Sequence, residues 1–130
     1  MLGIPQTKME ARKKILVIAE NPDIPFFTGL QQEGYEVVAS ESPQKAWGLA
    51  WPFRPHFIIL HLLRPSGRDI ALLQECRALA EGAPIIIATS IRGNEAVMKA
   101  LEEGATAFLS LPVEPATVRR VLDNLAAVRQ

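Results

Sequence analysis

Five short apolar runs recur along the chain at fairly even intervals, and no other feature constrains the fold as much. They are ILVIA (15–19), YEVVA (35–39), FIIL (57–60), PIIIA (84–88) and TAFLS (106–110). They are rich in valine, isoleucine and aromatic residues, which suit a pleated, half-buried surface. Three of them run without alternation, as strands covered on both faces of a parallel sheet do. The runs fall far short of the ~18 residues a membrane-spanning helix needs. The opening MLGIPQTKMEARKK lacks the apolar stretch of a secretory signal.

Helical signals fill the intervals. Asn21-Pro22 reads as an N-cap with a first-turn proline, opening a short helix that closes at Gly34, with Pro25 confining its start. Ser42-Pro43 repeats that opening for a helix that fades near Pro52 or Pro55. A third helix is expected from about Asp69 to Ala80, with Leu72, Leu73, Cys76 and Leu79 on its inner face. A fourth runs from about Asn94 to Glu103, with Val97, Ala100 and Leu101 inward and Gly104 as its stop. The last begins after Pro115 and carries Val118, Val121, Leu122 and Leu125.

The order is therefore (βα)₅, and right-handed crossovers put helices on both faces of a doubly wound parallel sheet. In such sheets a ligand crevice lies beyond the carboxyl ends of the strands, where the strand order switches direction. Five places then bear on function: Ala19-Glu20-Asn21, Ser40-Glu41, His61–Gly67, Thr89-Ser90 and Leu111-Pro112.

Composition narrows the class. A length of 130 residues suits one domain, and 48 % hydrophobic residues argue against disorder. Fourteen basic and 14 acidic residues leave no net charge, so no overall field recruits nucleic acid or anionic lipid. The cluster Lys8, Arg12, Lys13 and Lys14 reads as part of a solvated lead-in over 1–13, ahead of one domain over 14–130. The single cysteine, Cys76, excludes an internal disulfide framework and a four-cysteine zinc site, and it fits a reducing cytoplasm. Its place on a helical apolar face makes it a packing residue.

At this point the residues resemble a known family. From Lys14 to about Val128 the chain is similar to the receiver domain of two-component response regulators. KILVIAENPDI resembles the first strand and loop, and RPHFIILHLLRPSG the third strand and the loop after it. PIIIATS resembles the fourth strand with its terminal hydroxyl residue. ALEEGATAFLSLPVEP resembles the fourth helix, the fifth strand and the X-Pro turn. The resemblance implies a flavodoxin-like fold with five parallel strands in the order 2-1-3-4-5.

It also implies a chemistry. In the family a phosphoryl group is transferred to an aspartate at the end of the third strand. The carboxylate is the nucleophile, and magnesium held by hard oxygen ligands neutralises the phosphoryl oxygens. A lysine after the fifth strand and a hydroxyl after the fourth complete the site, where positioning and electrostatics supply most of the catalysis. Matched position by position, this chain departs from that pattern. His61 stands at the phosphoacceptor position, Ala19 and Glu20 at the acidic pair, and Leu111 at the lysine. Thr89 stands at the hydroxyl position and Phe108 at the switch aromatic. Pro112 follows Leu111, and a cis bond between them is expected.

The losses agree with one another. Two acids and the lysine that balances them are gone together, so the pocket can stay close to neutral without metal. Four readings of His61 remain open. It could accept a phosphoryl group, although Leu111 brings no charge to stabilise one. It could bind a transition metal with Glu20, although zinc usually takes three or four protein ligands and His56 is expected to point elsewhere. It could titrate as a pH switch beside Glu20. Or it could be a hydrogen-bonded histidine in an inactive pocket.

Arg64, Arg68 and Arg92 lie in or near the loops around the crevice, as an anion site or as solvated loop residues. Trp47 and Trp51 are one helical turn apart, the first directed to the core and the second a possible partner anchor. Ser66, Ser90 and Ser110 form no nucleophile elbow with His61. No phosphate-binding glycine loop is present. No helix-turn-helix follows the last helix, so no direct contact with nucleic acid is expected.

The sequence reading is thus a degenerate receiver domain. It is a non-enzymatic, cofactor-free, cytoplasmic module that does not autophosphorylate. It would act on a signalling protein or on a second copy of itself through the fourth helix, fifth strand and fifth helix. The alternative is a flavodoxin-like ligand, anion or pH sensor, or an enzyme, using Glu20, His61, Arg64 and Thr89.

Overall fold

The computed structural model describes residues 12–19, 24–42, 44–46, 48, 54–62, 68–79, 82–91 and 95–128. Side chains at 24, 68–70, 79, 96, 97, 127 and 128 fall outside that description. Five strands form the sheet: β1 (Lys14–Ile18), β2 (Glu36–Ser40), β3 (Phe57–His61), β4 (Ile85–Thr89) and β5 (Ala107–Ser110). Helices follow them in turn: α1 (Ile24–Gln32), α2 (residues 44–46 and 48), α3 (Arg68–Leu79), α4 (Glu95–Glu102) and α5 (Pro115–Val128).

The sheet is parallel throughout, in the order β2-β1-β3-β4-β5. The three uninterrupted apolar runs are its three central strands. Ile15 to Ile18, Phe57 to Leu60 and all of Ile85–Thr89 are buried. Strands in that position meet side chains on both faces, so they carry no solvent-facing alternation. On one face, Ile15, Val17, Ile59, Ile86 and Leu109 pack with Leu30 of α1 and with Val118 and Leu122 of α5. On the other, Leu16, Ile18, Ile58, Leu60, Ile85 and Ile87 pack with Ala46, with Leu73 and Cys76 of α3, and with Ala100 of α4.

Local chemistry sets the element ends. Pro25 is in the first turn of α1, where a missing N–H costs nothing. Gly34 turns the chain out of α1 with φ +100°, and the Tyr35 N–H donates to the Leu30 carbonyl at 3.3 Å. That bond draws Tyr35 into the turn, so β2 begins at Glu36 and extends to Ser40, one residue later than the run suggests. Ser42 caps α2, its hydroxyl accepting from the Lys45 N–H at 3.2 Å. Gly104, at φ +125°, ends α4 as expected. The Arg77 guanidinium of α3 reaches across to donate to the Glu103 carbonyl at that end.

Candidate functional site

The strand order reverses between β1 and β3, so the crevice opens where those two strands and β4 end. Ala19 follows β1, buried, its N–H donating to the Ser40 carbonyl at 2.9 Å. His61 is the last residue of β3 and pairs in register with Ala88. By strand alternation it continues the side of Phe57 and Ile59, which α1 and α5 cover. It is half-buried, and the next residue, Leu62, turns to the opposite core.

Thr89 ends β4 and is fully buried. Its hydroxyl accepts from the Ile91 N–H at 3.2 Å, a turn formed within its own loop. Its carbonyl accepts from the Leu111 N–H at 2.9 Å. Leu111 is half-buried against the core on the α1 and α5 side, and the bond from Leu111 to Pro112 is cis, as expected. Phe108, half-buried, packs on the other side of the sheet. Ser110 is the register partner of Thr89, and its Oγ is buried.

The structure thus brings Ala19, His61, Thr89 and Leu111 to one end of the sheet. Together these side chains offer a methyl group, an imidazole, a hydroxyl already used by its own loop, and an isobutyl group. None is a carboxylate or a fixed cation. Among the described residues, no three His, Cys, Asp or Glu side chains are placed to hold a metal. Glu20, Arg64, Arg92, Ser66, Trp47 and Trp51 lie outside the described residues, and Arg68 opens α3 with its side chain outside them.

His56 immediately precedes the same strand, at the end away from His61. Its Nδ1 accepts the Lys14 N–H at 3.0 Å, and its own N–H donates to the Lys14 carbonyl at 2.8 Å. Partial burial, then the neighbouring Lys13 and Lys14 charges, hold its pKa below the ordinary imidazole value. The two histidines therefore lie at opposite ends of one central strand and share no site. Cys76 is buried in the core, and burial pushes its thiol up to about 12, so it is no nucleophile.

Ser110 joins this end of the sheet through register, and its only sequence signal is that it closes a strand, as Thr89 does.

The response regulator receiver domain profile matches residues 15–123. No curated protein matches the chain. Among solved structures, the chemotaxis protein CheY4 of Vibrio cholerae shares 24% identity at a TM-score of 0.72, over 87% of this chain and 98% of that one. A two-component response regulator from Clostridium difficile shares 19% at 0.75, over 89% and 97%. A sensor histidine kinase receiver domain from Pseudomonas aeruginosa, with magnesium coordinated in its active site cleft, shares 24% at 0.70, over 87% and 96%. At these identities the likeness is one of fold.

Proposed function

The chain belongs to the response regulator receiver domain family, and from that premise we propose that it is a signalling module that accepts no phosphoryl group and acts by protein contact. The observation that carries this reading is the make-up of the crevice. Ala19, His61 and Leu111 stand where the family's chemistry calls for an acid, a carboxylate nucleophile and a lysine. Magnesium prefers hard oxygen ligands in near-octahedral array. A methyl group and an imidazole nitrogen supply none, and Glu20 alone does not make up a cluster, so the donor set does not fit the ion. A phosphoryl group on His61 would likewise meet leucine at the position where a cation should balance it.

The output face we assign is α4, β5 and α5. Ile91 and Met98, on the approach to α4 and on it, are 39% and 59% exposed, and they are the large hydrophobic side chains exposed among the described residues. Arg119 and Arg120 are exposed on α5. A signalling protein or a second copy of the chain would hold this face in one arrangement, in proportion to its preference for that arrangement. We take residues 14–130 as the receiver domain, 1–13 as its lead-in and the cytoplasm as its compartment, consistent with a lone reduced cysteine.

The test is incubation with magnesium and a small phosphoryl donor, followed by intact-mass measurement. The mass should not change. A stable gain of one phosphoryl group would overturn the proposal.

A further inference from the structure

The end of the sheet opposite the crevice gathers positive charge. β1 and β3 enter it side by side. Ile15 pairs with Phe57, and the ladder continues upstream, where the Lys14 carbonyl accepts the His56 N–H at 2.8 Å. The same offset brings Arg12 and Lys13 alongside Arg54 and Pro55, on leads about 4.8 Å apart. Arg12, Lys13, Arg54 and His56 are exposed, whereas Pro55 is buried. Among the described residues no carboxylate pairs with Arg12, Lys13 or Arg54. Glu36 stands beside Lys14 as its register partner and bounds the cluster on the β2 side.

Two features set this cluster apart from a solvated lead-in. Arg54 has φ +52°, and among the described residues it is the one non-glycine in the left-handed region. Such a backbone costs free energy that glycine would avoid, and it persists where its surroundings fix it, as they do at functional sites. Here it belongs to an exposed arginine directly before a buried proline. The second feature is His56. Its Nδ1 accepts the Lys14 N–H, so Nε2 carries the ring hydrogen and remains a donor. After partial burial, the charges that act on this ring are those of Lys13 and Lys14, both positive.

We propose that this end of the sheet binds a small molecule carrying two linked phosphates, held by Arg12 and Arg54 with Lys13 and His56 beside them. Guanidinium groups on neighbouring leads suit two phosphates joined through one oxygen, because each can grip one in bidentate fashion. A nucleic acid strand calls for a longer basic track than this cluster, bounded by Glu36, provides. The site shares no residue with the crevice, and the inference does not depend on whether His61 accepts a phosphoryl group or on which protein the domain contacts.

NMR titration of the intact chain with inorganic pyrophosphate, at constant ionic strength, tests it. The amides of residues 12–14 and 54–56 and the His56 ring should shift together and saturate, while the His61 ring stays still. Arg12→Gln combined with Arg54→Gln should weaken binding about ten-fold or more, as the loss of charged hydrogen bonds to an anion does. Arg54→Gly should keep the melting temperature, since glycine adopts this φ freely, and should still weaken binding, which separates lost affinity from lost fold. Sulfate bound as tightly as pyrophosphate would mean an adventitious ion only and would overturn the proposal. Shifts that do not saturate, that centre on His61, or that survive both sets of substitutions would overturn it too. So would tighter binding of a short single-stranded DNA or of anionic phospholipid vesicles, which would make the cluster a polymer or membrane surface.

Discussion

At the scale of single residues, His56 makes the clearest pH prediction. Its Nδ1 is an acceptor for the Lys14 N–H, and protonation would destroy that role. Burial and the adjacent lysines hold its native pKa below the unfolded value of 6.5. The unfolded chain therefore takes up the proton more readily than the native one. Stability from this source is complete above about pH 6.5 and is lost as pH falls through the native value. Urea midpoints across the imidazole range should fall toward acid more steeply for the wild type than for His56→Ala. The effect is modest, because the His56 ring is only partly withdrawn from solvent. Equal slopes for the two proteins would contradict this account. Cys76 shows what a sequence alone can supply at this scale, since its helical spacing already placed it in the core. The Lys14–His56 pair shows what it cannot. The contact joins residues 42 apart, and its existence follows from strand register.

At the scale of elements, α1 and the start of α5 approach closely at Gly29. A Cβ added at Gly29 would lie 2.5 Å from Pro115 Cγ, closer than non-bonded carbons tolerate. Gly29→Ala should therefore push α1 away from α5 and lower stability by roughly 1–3 kcal/mol, the usual cost of overpacking. Chemical denaturation would measure it, and a neutral or stabilising result would show that the two helices are free to separate. Much at this scale was legible in advance. Uninterrupted apolar runs marked the strands that became central. Asn21-Pro22 lies outside the described residues, but Ser42, Pro115 and Gly104 cap, open and end their helices as their chemistry suggests. Strand ends moved by about one residue where backbone bonds competed, as at Tyr35. The cap that Arg77 places on the end of α4 was not legible, because it links residues 26 apart across two helices. The same limit applies to the crevice. Position-by-position resemblance located Ala19, His61, Thr89 and Leu111, but only register put Ser110 opposite Thr89.

For the whole molecule, the two-sided burial of β3 has an energetic meaning. Ile58 and Ile59 are adjacent in sequence, fully buried, and belong to opposite cores. Replacing either with alanine should cost about 2–5 kcal/mol. Both variants should still melt in one transition, because a single strand spans both layers and neither can open alone. Far-UV circular dichroism and hydrogen exchange on each face would check this, and separate transitions for the two faces would contradict it. The strand order also affects how the chain is made. β1 is central, yet its partner β3 lies some 42 residues further along. As the polypeptide emerges from the ribosome, the ILVI segment has one flank unmatched until that later stretch has been synthesised. The nascent domain is thus obliged to wait with its stickiest edge open, and this is the interval in which chaperones would be expected to engage it.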